Sequence, residues 1–350
     1  MRTEFDFFDT VDQEISARSA QIELLSVDYL LTQKPPEMLW TVDNLLLSGG
    51  LSLLCGKPKV GKSTLVRQLA ISVARGNQFL GRETKQGNVV LFCLEDHLWM
   101  LQKAMISAGV SRNDPIFFHC GPKPKNSIRA LEQILTNYQP TLVVIDTLFR
   151  FISCHDTNDY TSVLDSLTPL SELVRRHSTH ILLIHHAGKA ERLDSLDSVL
   201  GSVGIHGSMD TTLLLRRSSA VRVIESQQRY GKALETSILN FEEETGRTFL
   251  GPTQSSQELA IKAKAISQFL KSHNLPVPEP AIIENVSGRT SVLRRALRIC
   301  VDQGTVVRSG NGSKSCPFLY QTIQNRDSPN KDQGNKKNDL LIGAQTHKNQ

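Results

Sequence analysis

Leu51-Ser52-Leu53-Leu54-Cys55-Gly56-Lys57-Pro58-Lys59-Val60-Gly61-Lys62-Ser63-Thr64-Leu65-Val66-Arg67-Gln68-Leu69-Ala70 sets an apolar run, a glycine-bounded basic loop and an amphipathic run end to end. The middle portion, Gly56 to Ser63, fits GxxxxGK followed by Ser or Thr. Its glycines let successive backbone N–H groups turn inward around phosphates at a helix N-terminus. The flanking runs supply the strand before and the helix after, which is the context that separates a phosphate loop from a chance Gly-rich turn. Gly56, Lys57, Pro58, Lys59, Val60, Gly61, Lys62, Ser63 and Thr64 are therefore the expected nucleotide-binding residues. Lys62 is expected to reach the β- and γ-phosphates of ATP, and the Ser63 hydroxyl to ligate Mg²⁺.

Outward from this loop, short apolar runs alternate with longer amphipathic ones, the sequence pattern of parallel strands and crossover helices. The expected strands are 51–55, 88–94, 116–119, 141–145, 180–185, 211–215 and 221–225, with a final strand or hairpin at 235–241. Helices are expected at 63–74, 99–108, 128–137 and 163–177. The fold class that follows is α/β with a mostly parallel sheet.

Two further strands end in acids. Leu142-Val143-Val144-Ile145-Asp146 is a buried-strand pattern whose terminal Asp146 is the expected second Mg²⁺ ligand. Val89 to Leu94 leads into Glu95-Asp96, where a carboxylate beside the γ-phosphate would orient and deprotonate water. Glu95 is the first candidate for that base and Asp96 the second, with a helix N-cap before residues 97 onward as the plain alternative. A third strand ends in His185-His186, and one of this pair is placed as a sensor of the γ-phosphate, with His186 counted among the catalytic residues.

Length and composition bound the rest. The 350 residues, 39% apolar and 21% charged, suffice for one domain of about 200–250 residues, a smaller unit and a tail. The reading divides the chain into a lead-in at 1–45, the ATPase domain at 46–250, a small helical and β unit at 257–323, and a tail at 324–350 without apolar periodicity. The chain boundary is set near Gly251-Pro252, where the residues turn small and polar. No apolar run approaches the ~20 residues of a membrane span, and the acidic start lacks a basic leader, so a cytoplasmic protein without membrane contact is expected. Six scattered cysteines without CxxC spacing read as reduced packing residues.

The net charge of +5 is modest, but between Val286 and Tyr320 six bases face one acid. There, helix, short helix, Gly turn, basic helix and hairpin follow the order of a winged helix-turn-helix. Val292, Leu293, Ala296, Leu297 and Cys300 make one apolar stripe, leaving Arg294, Arg295 and Arg298 largely outside it. Arg289, Arg294, Arg295, Arg298, Arg308 and Lys314 are accordingly the candidate duplex contacts, against the plainer reading of a protein-docking unit with solvated arginines.

The segments GLSLLCGKPKVGKST, VVLFCLEDH, LVVIDTL and LLIHHAGK, in this order within residues 40 to 245, resemble the RecA/DnaB superfamily, most closely the hexameric plasmid replicative helicases of RepA type. The resemblance implies a RecA-like ATPase, a homo-oligomer and specifically a hexamer, and single-stranded DNA in a central channel. It also implies an arginine that completes a neighbouring subunit's site. Gln228-Arg229-Tyr230-Gly231 resembles the corresponding DnaB segment, making Arg229 the first choice, although Gln227 stands where that pattern has lysine; Arg216 or Arg217 is left to supply the missing charge. Channel loops are implied at about 149–160 and 188–207. The second carries Lys189 and Arg192 for phosphate, diluted by Glu191, Asp194 and Asp197. The function expected is a DNA-binding motor of replication or mobile-element maintenance, possessing helicase activity in one reading and acting as a nucleotide-switched regulator in another. A metabolic kinase ranks last, for want of an acceptor site.

Overall fold

The structure, a computed structural model, describes residues 24–34, 37–154, 159–186, 206–218, 221–242, 247–313 and 315–323. Its elements run α1 (Val27–Thr32), β1 (Trp40–Val42), β2 (Leu46–Leu47), β3 (Leu51–Gly56), α2 (Lys62–Arg75), β4 (Val89–Cys93), α3 (Leu98–Ser107), β5 (Ile116–Cys120), α4 (Ser127–Tyr138), β6 (Leu142–Asp146), α5 (Leu148–Phe151), α6 (Tyr160–His177) and β7 (His180–His186). They continue with β8 (Thr211–Ser218), β9 (Val221–Gln228), β10 (Ser237–Phe241), β11 (Thr248–Thr253), α7 (Gln254–Lys271), β12 (Val277–Pro278), α8 (Glu279–Asn285), α9 (Thr290–Asp302), β13 (Val306–Ser309) and β14 (Leu319–Thr322). The chain divides into two compact units, Met1–Gln254 and Ser255–Gln350.

In the first unit a nine-stranded sheet has the order β11-β10-β9-β8-β3-β7-β6-β4-β5. From β8 to β5 every neighbouring pair is parallel, whereas β9, β10 and β11 add on antiparallel. This is an α/β fold with a mostly parallel sheet, as expected, and its phosphate loop joins β3 to α2. The central strands carry continuous apolar runs because both faces are covered. On one face Leu54, Leu91, Val144 and Leu182 pack with α2 and α3; on the other Leu53, Phe92, Val143 and Leu183 pack with α4 and α6. Asn126 and Asp159 cap α4 and α6 by accepting from the N–H groups of Arg129 and Ser162.

Two stretches differ from the sequence expectation. Residues 251–256, read as a loop at the domain boundary, instead complete β11 (Thr248–Thr253) and begin α7 directly after it. Pro252 is tolerated because β11 is the sheet's edge, where a missing N–H breaks no inner ladder. Residues 40–45, placed in the lead-in, form with Leu46–Leu47 the β1–β2 hairpin, and Val42, Leu45 and Leu46 are fully buried in the core beside α2.

The second unit packs α7, α8 and α9 against a three-stranded sheet of order β12-β14-β13. Ile266, Ile282, Leu293, Ala296, Leu297, Val306 and Tyr320 form its core. Two-residue β12, paired with β14 through Val277 and Tyr320, was too short to read from sequence. The expected tail lies outside the described residues.

Candidate nucleotide site

Parallel register brings the strand tips to one edge. Gly56 pairs with His186, Asp146 with Ile184, and Cys93 with Asp146, so the phosphate loop, the β6 acid and the β7 histidines share the C-terminal edge of the sheet. Crevices at such edges are where open α/β sheets bind ligands. The loop leaves β3 at Gly56, where a β-carbon would lie 2.5 Å from the Leu215 carbonyl oxygen, so only glycine lets β3 and β8 approach this closely. Lys59 adopts φ 63°, and Gly61, at φ 113°, is the N-cap of α2. Lys57, Pro58 and Lys59 are exposed while Val60 is buried, which seats the loop on the core by one side chain.

Lys62 is buried to 3% exposure, and its Nζ donates to the carbonyls of Gly56 at 2.6 Å and Lys57 at 3.1 Å. Burial lowers its pKa from 10.5 to about 8, with the Asp146 carboxylate acting in the opposite direction. The ammonium thus sits inside the loop on replaceable carbonyl partners. Ser63 and Asp146 line a small crevice with Asp96, Arg67 and Cys93. His186 Nε2 stands 3.7 Å from Asp146 Oδ1, and His186 Nδ1 is buried without a hydrogen-bond partner. His185 turns the other way, edge-on to Phe149 at 5.4 Å between ring centroids.

The two candidate bases separate. Glu95 Oε1 accepts from Arg150 Nε at 2.7 Å and from Thr147 Oγ1 at 3.2 Å, which ties it to the segment just after Asp146. Asp96, not Glu95, lines the crevice shared by Ser63 and Asp146. Neither caps a helix, since His97 occupies the N-cap of α3.

Arg67, which sequence reading passed over, lies one turn beyond Ser63 on α2. Burial pulls its guanidinium below the ordinary value, opposed by Asp96, Cys93 and Asp146. The same arginine borders a 380 Å³ cavity with Thr64, Gln68, Ser72, Gln78 and Arg247. The i, i+3 and i, i+4 spacing of Thr64, Arg67 and Gln68 on one helix face was the available signal.

Arg229 does not join the site of its own chain. Its backbone N–H bonds Asp210, whose own N–H bonds Leu51 at the start of β3, the strand end opposite the loop, about 16 Å of strand away. Its Nη2 donates to the Gly207 carbonyl at 2.8 Å, and Nη1 is 3.8 Å from Asp210 Oδ1. Arg216 and Arg217 instead lie near the loop end of β8; Arg216 is paired with Glu225 at 3.4 Å. Lys189, Arg192 and Lys314 lie outside the described residues.

In the second unit Arg289, Arg294, Arg295, Arg298 and Arg308 are exposed. Arg294 is held by Glu279 at 2.7 Å, and the Arg308 guanidinium lies over Phe318 at 4.5 Å.

The residues fit ATP and Mg²⁺: a buried ammonium beside loop carbonyls, and a hydroxyl and a carboxylate around one crevice. Magnesium keeps several waters and phosphate oxygens, so it needs no cage of protein ligands, and no cluster of three or more His, Cys, Asp or Glu suited to a metal occurs among the described residues. No helix among them is long and apolar enough to cross a membrane.

A solved structure similar to this chain is a KaiC-like protein from the hyperthermophilic archaeon Pyrococcus horikoshii, at 14% identity and a TM-score of 0.46, covering 62% of this chain and 100% of that one. Comparison with curated proteins returned no match. The family model described as AAA domain (AAA_25) matches residues 16–192, just over half of the chain, and spans the phosphate loop, Glu95, Asp146 and both histidines. On this match and on the loop, strand tips and buried lysine that it contains, the chain belongs to the AAA domain family and is a P-loop ATPase.

Proposed function

We propose that this chain is an ATP-hydrolysing, DNA-binding oligomeric motor of RepA-like type, serving DNA replication or mobile-element maintenance. The observation that carries the ATPase half is the buried Lys62 ammonium held by the Gly56 and Lys57 carbonyls, with Ser63 and Asp146 facing one crevice. Bound Mg²⁺, held by Ser63 and Asp146, supplies Lewis-acid polarisation of phosphate oxygens. Lys62 exchanges its carbonyl partners for the β- and γ-phosphates. Glu95 or Asp96 orients water and accepts its proton, and His186, beside Asp146, reports the γ-phosphate to the segment after β7.

The position of Arg229, far from its own loop and 45% exposed at its side chain, supports its action on a neighbouring subunit in a homo-oligomer, a hexamer in the RepA-type reading. The order and packing of α7 to β14 support a winged helix-turn-helix, with α9 burying Leu293, Ala296, Leu297 and Cys300 while Arg295 and Arg298 remain exposed for duplex phosphate. Single-stranded DNA in the channel rests on the resemblance alone. The engagement of Arg294 by Glu279 and of Arg308 by Phe318 supports the plainer reading of the second unit as a protein-docking module; for the whole chain the alternative is a nucleotide-switched DNA-binding regulator without unwinding.

Hydrolysis stimulated by single-stranded DNA and lost in Lys62→Ala, together with displacement of an annealed strand, is the expected result. Hydrolysis without displacement selects the regulator. Sizing with and without ATP–Mg²⁺ tests assembly: a monomer that hydrolyses at full rate removes Arg229 from the mechanism.

A further inference from the structure

Two side chains beyond the family match press on the phosphate loop from the antiparallel part of the sheet. Arg222 of β9 donates from Nε to the Val60 carbonyl at 3.0 Å. Its guanidinium lies on the Phe241 ring, 4.4 Å from Cζ to the ring centroid. Phe241, the last residue of β10, is partly buried against the core that contains Val60 and Leu65. A β-carbon at Gly61 would stand 2.9 Å from Phe241 Cζ and 3.7 Å from Arg222 Nε, so the ring fills the space that a side chain at Gly61 would take.

A phosphate loop works by directing its N–H groups at the ligand, which leaves carbonyls pointing the other way. The peptide group is planar and trans, so fixing the Val60 carbonyl also fixes the direction of the Gly61 N–H across the same bond. Arg222 holds that carbonyl with a charged donor, and Phe241 fixes the plane of the guanidinium by stacking.

We propose that Arg222, seated on Phe241, is a positioning residue for the nucleotide: it holds the Val60–Gly61 peptide in its phosphate-binding orientation from behind the loop, without touching the γ-phosphate. The inference rests on the nucleotide reading above. Because the loop amides grip the phosphates shared by ATP and ADP, losing this support weakens both nucleotides alike. An arginine on the γ-phosphate would favour ATP only.

Calorimetric titration of the full chain with ADP–Mg²⁺ and with a non-hydrolysable ATP analogue decides the matter. Arg222→Ala is expected to weaken both by on the order of 10-fold, the worth of one charge-assisted hydrogen bond, and to raise KM for ATP more than it lowers kcat. Arg222→Lys, which can still donate, recovers part of the affinity. Phe241→Leu, which keeps the arginine and removes its platform, loses both nucleotides by about threefold and carries the test should Arg222→Ala not fold. Unchanged affinities in variants that fold overturn the inference, as does a loss confined to the ATP analogue. Wild-type protein that binds neither nucleotide overturns the nucleotide reading and this inference together, whereas wild type that binds while both variants bind equally well overturns this inference alone.

Discussion

Replacing Lys62 by Met tests whether the ammonium is held in the loop at a cost to the fold. The folded pKa of about 8 against 10.5 corresponds to about 3 kcal/mol at ~1.4 kcal/mol per unit. Because the folded value is the lower, the unfolded chain binds more protons between pH 8 and 10.5. The burden is therefore full below pH 8, shrinks as pH rises through this window, and is gone above 10.5. Lys62→Met removes the charge at similar length, and forfeits two hydrogen bonds worth about 1–1.5 kcal/mol each. The two effects nearly offset near neutral pH, so the absolute difference there says little. Its pH dependence says more. Urea unfolding of nucleotide-free wild type and Lys62→Met, from about pH 7 to about pH 10.5 at constant ionic strength, should show the wild type gaining about 3 kcal/mol relative to the variant. Titrations common to both chains cancel in that difference. A difference constant to about 0.5 kcal/mol across the range refutes the reasoning.

His180 is fully buried, with Nδ1 2.7 Å from the Leu47 carbonyl oxygen, and burial lowers its pKa from 6.5 to about 4. Stability present above pH 6.5 is thus lost as pH falls towards 4, by about 3 kcal/mol, an acid dependence that His180→Phe should abolish in urea midpoints. Glu95→Gln should lower kcat for hydrolysis by about 10²- to 10⁴-fold if Glu95 is the base; the same loss in Asp96→Asn alone would assign the base to the residue lining the Ser63 crevice. Arg295→Ala and Arg298→Ala should each reduce the salt slope of duplex binding by about one, with Arg294→Ala changing it less because Glu279 already holds that charge. Filter binding across a salt series measures all three, and equal slopes in every variant would leave α9 out of the DNA contact.

The strands of the parallel core were legible because burial on both faces writes them as unbroken apolar runs. Those ending in Gly56, Asp146 and His186 also announce the site through the residue at their tip. Pairing order was not legible, since β3 lies between β7 and β8, neither of which is its neighbour along the chain. Trp40–Leu47 was hidden for a different reason: a hairpin of strands of three and two residues is too short to show a period. Pro252 disguised β11, because a proline tolerated only at an edge looks, in one dimension, like a breaker. At the site itself, the hydrogen bond from Arg222 to the Val60 carbonyl joins residues that no local spacing connects. Glu95 and Asp96 are adjacent in sequence, yet only the three-dimensional arrangement shows one reaching Arg150 and the other facing Ser63.

The hydrogen bond from Arg222 to Val60 spans 162 positions of the chain. On the ribosome, residues 51–75 emerge long before the strands at 211–218 and 221–228 that flank and back them. At roughly 5–20 residues per second the delay is about 8 to 30 s. During that interval the nascent chain carries the whole signature of its chemistry without the wall that braces it. On the inference drawn for Arg222, a growing polypeptide would therefore reach its full grip on triphosphate late, near the completion of its first unit, and a chain released early, even one long enough to contain every signature residue, would hold it less tightly.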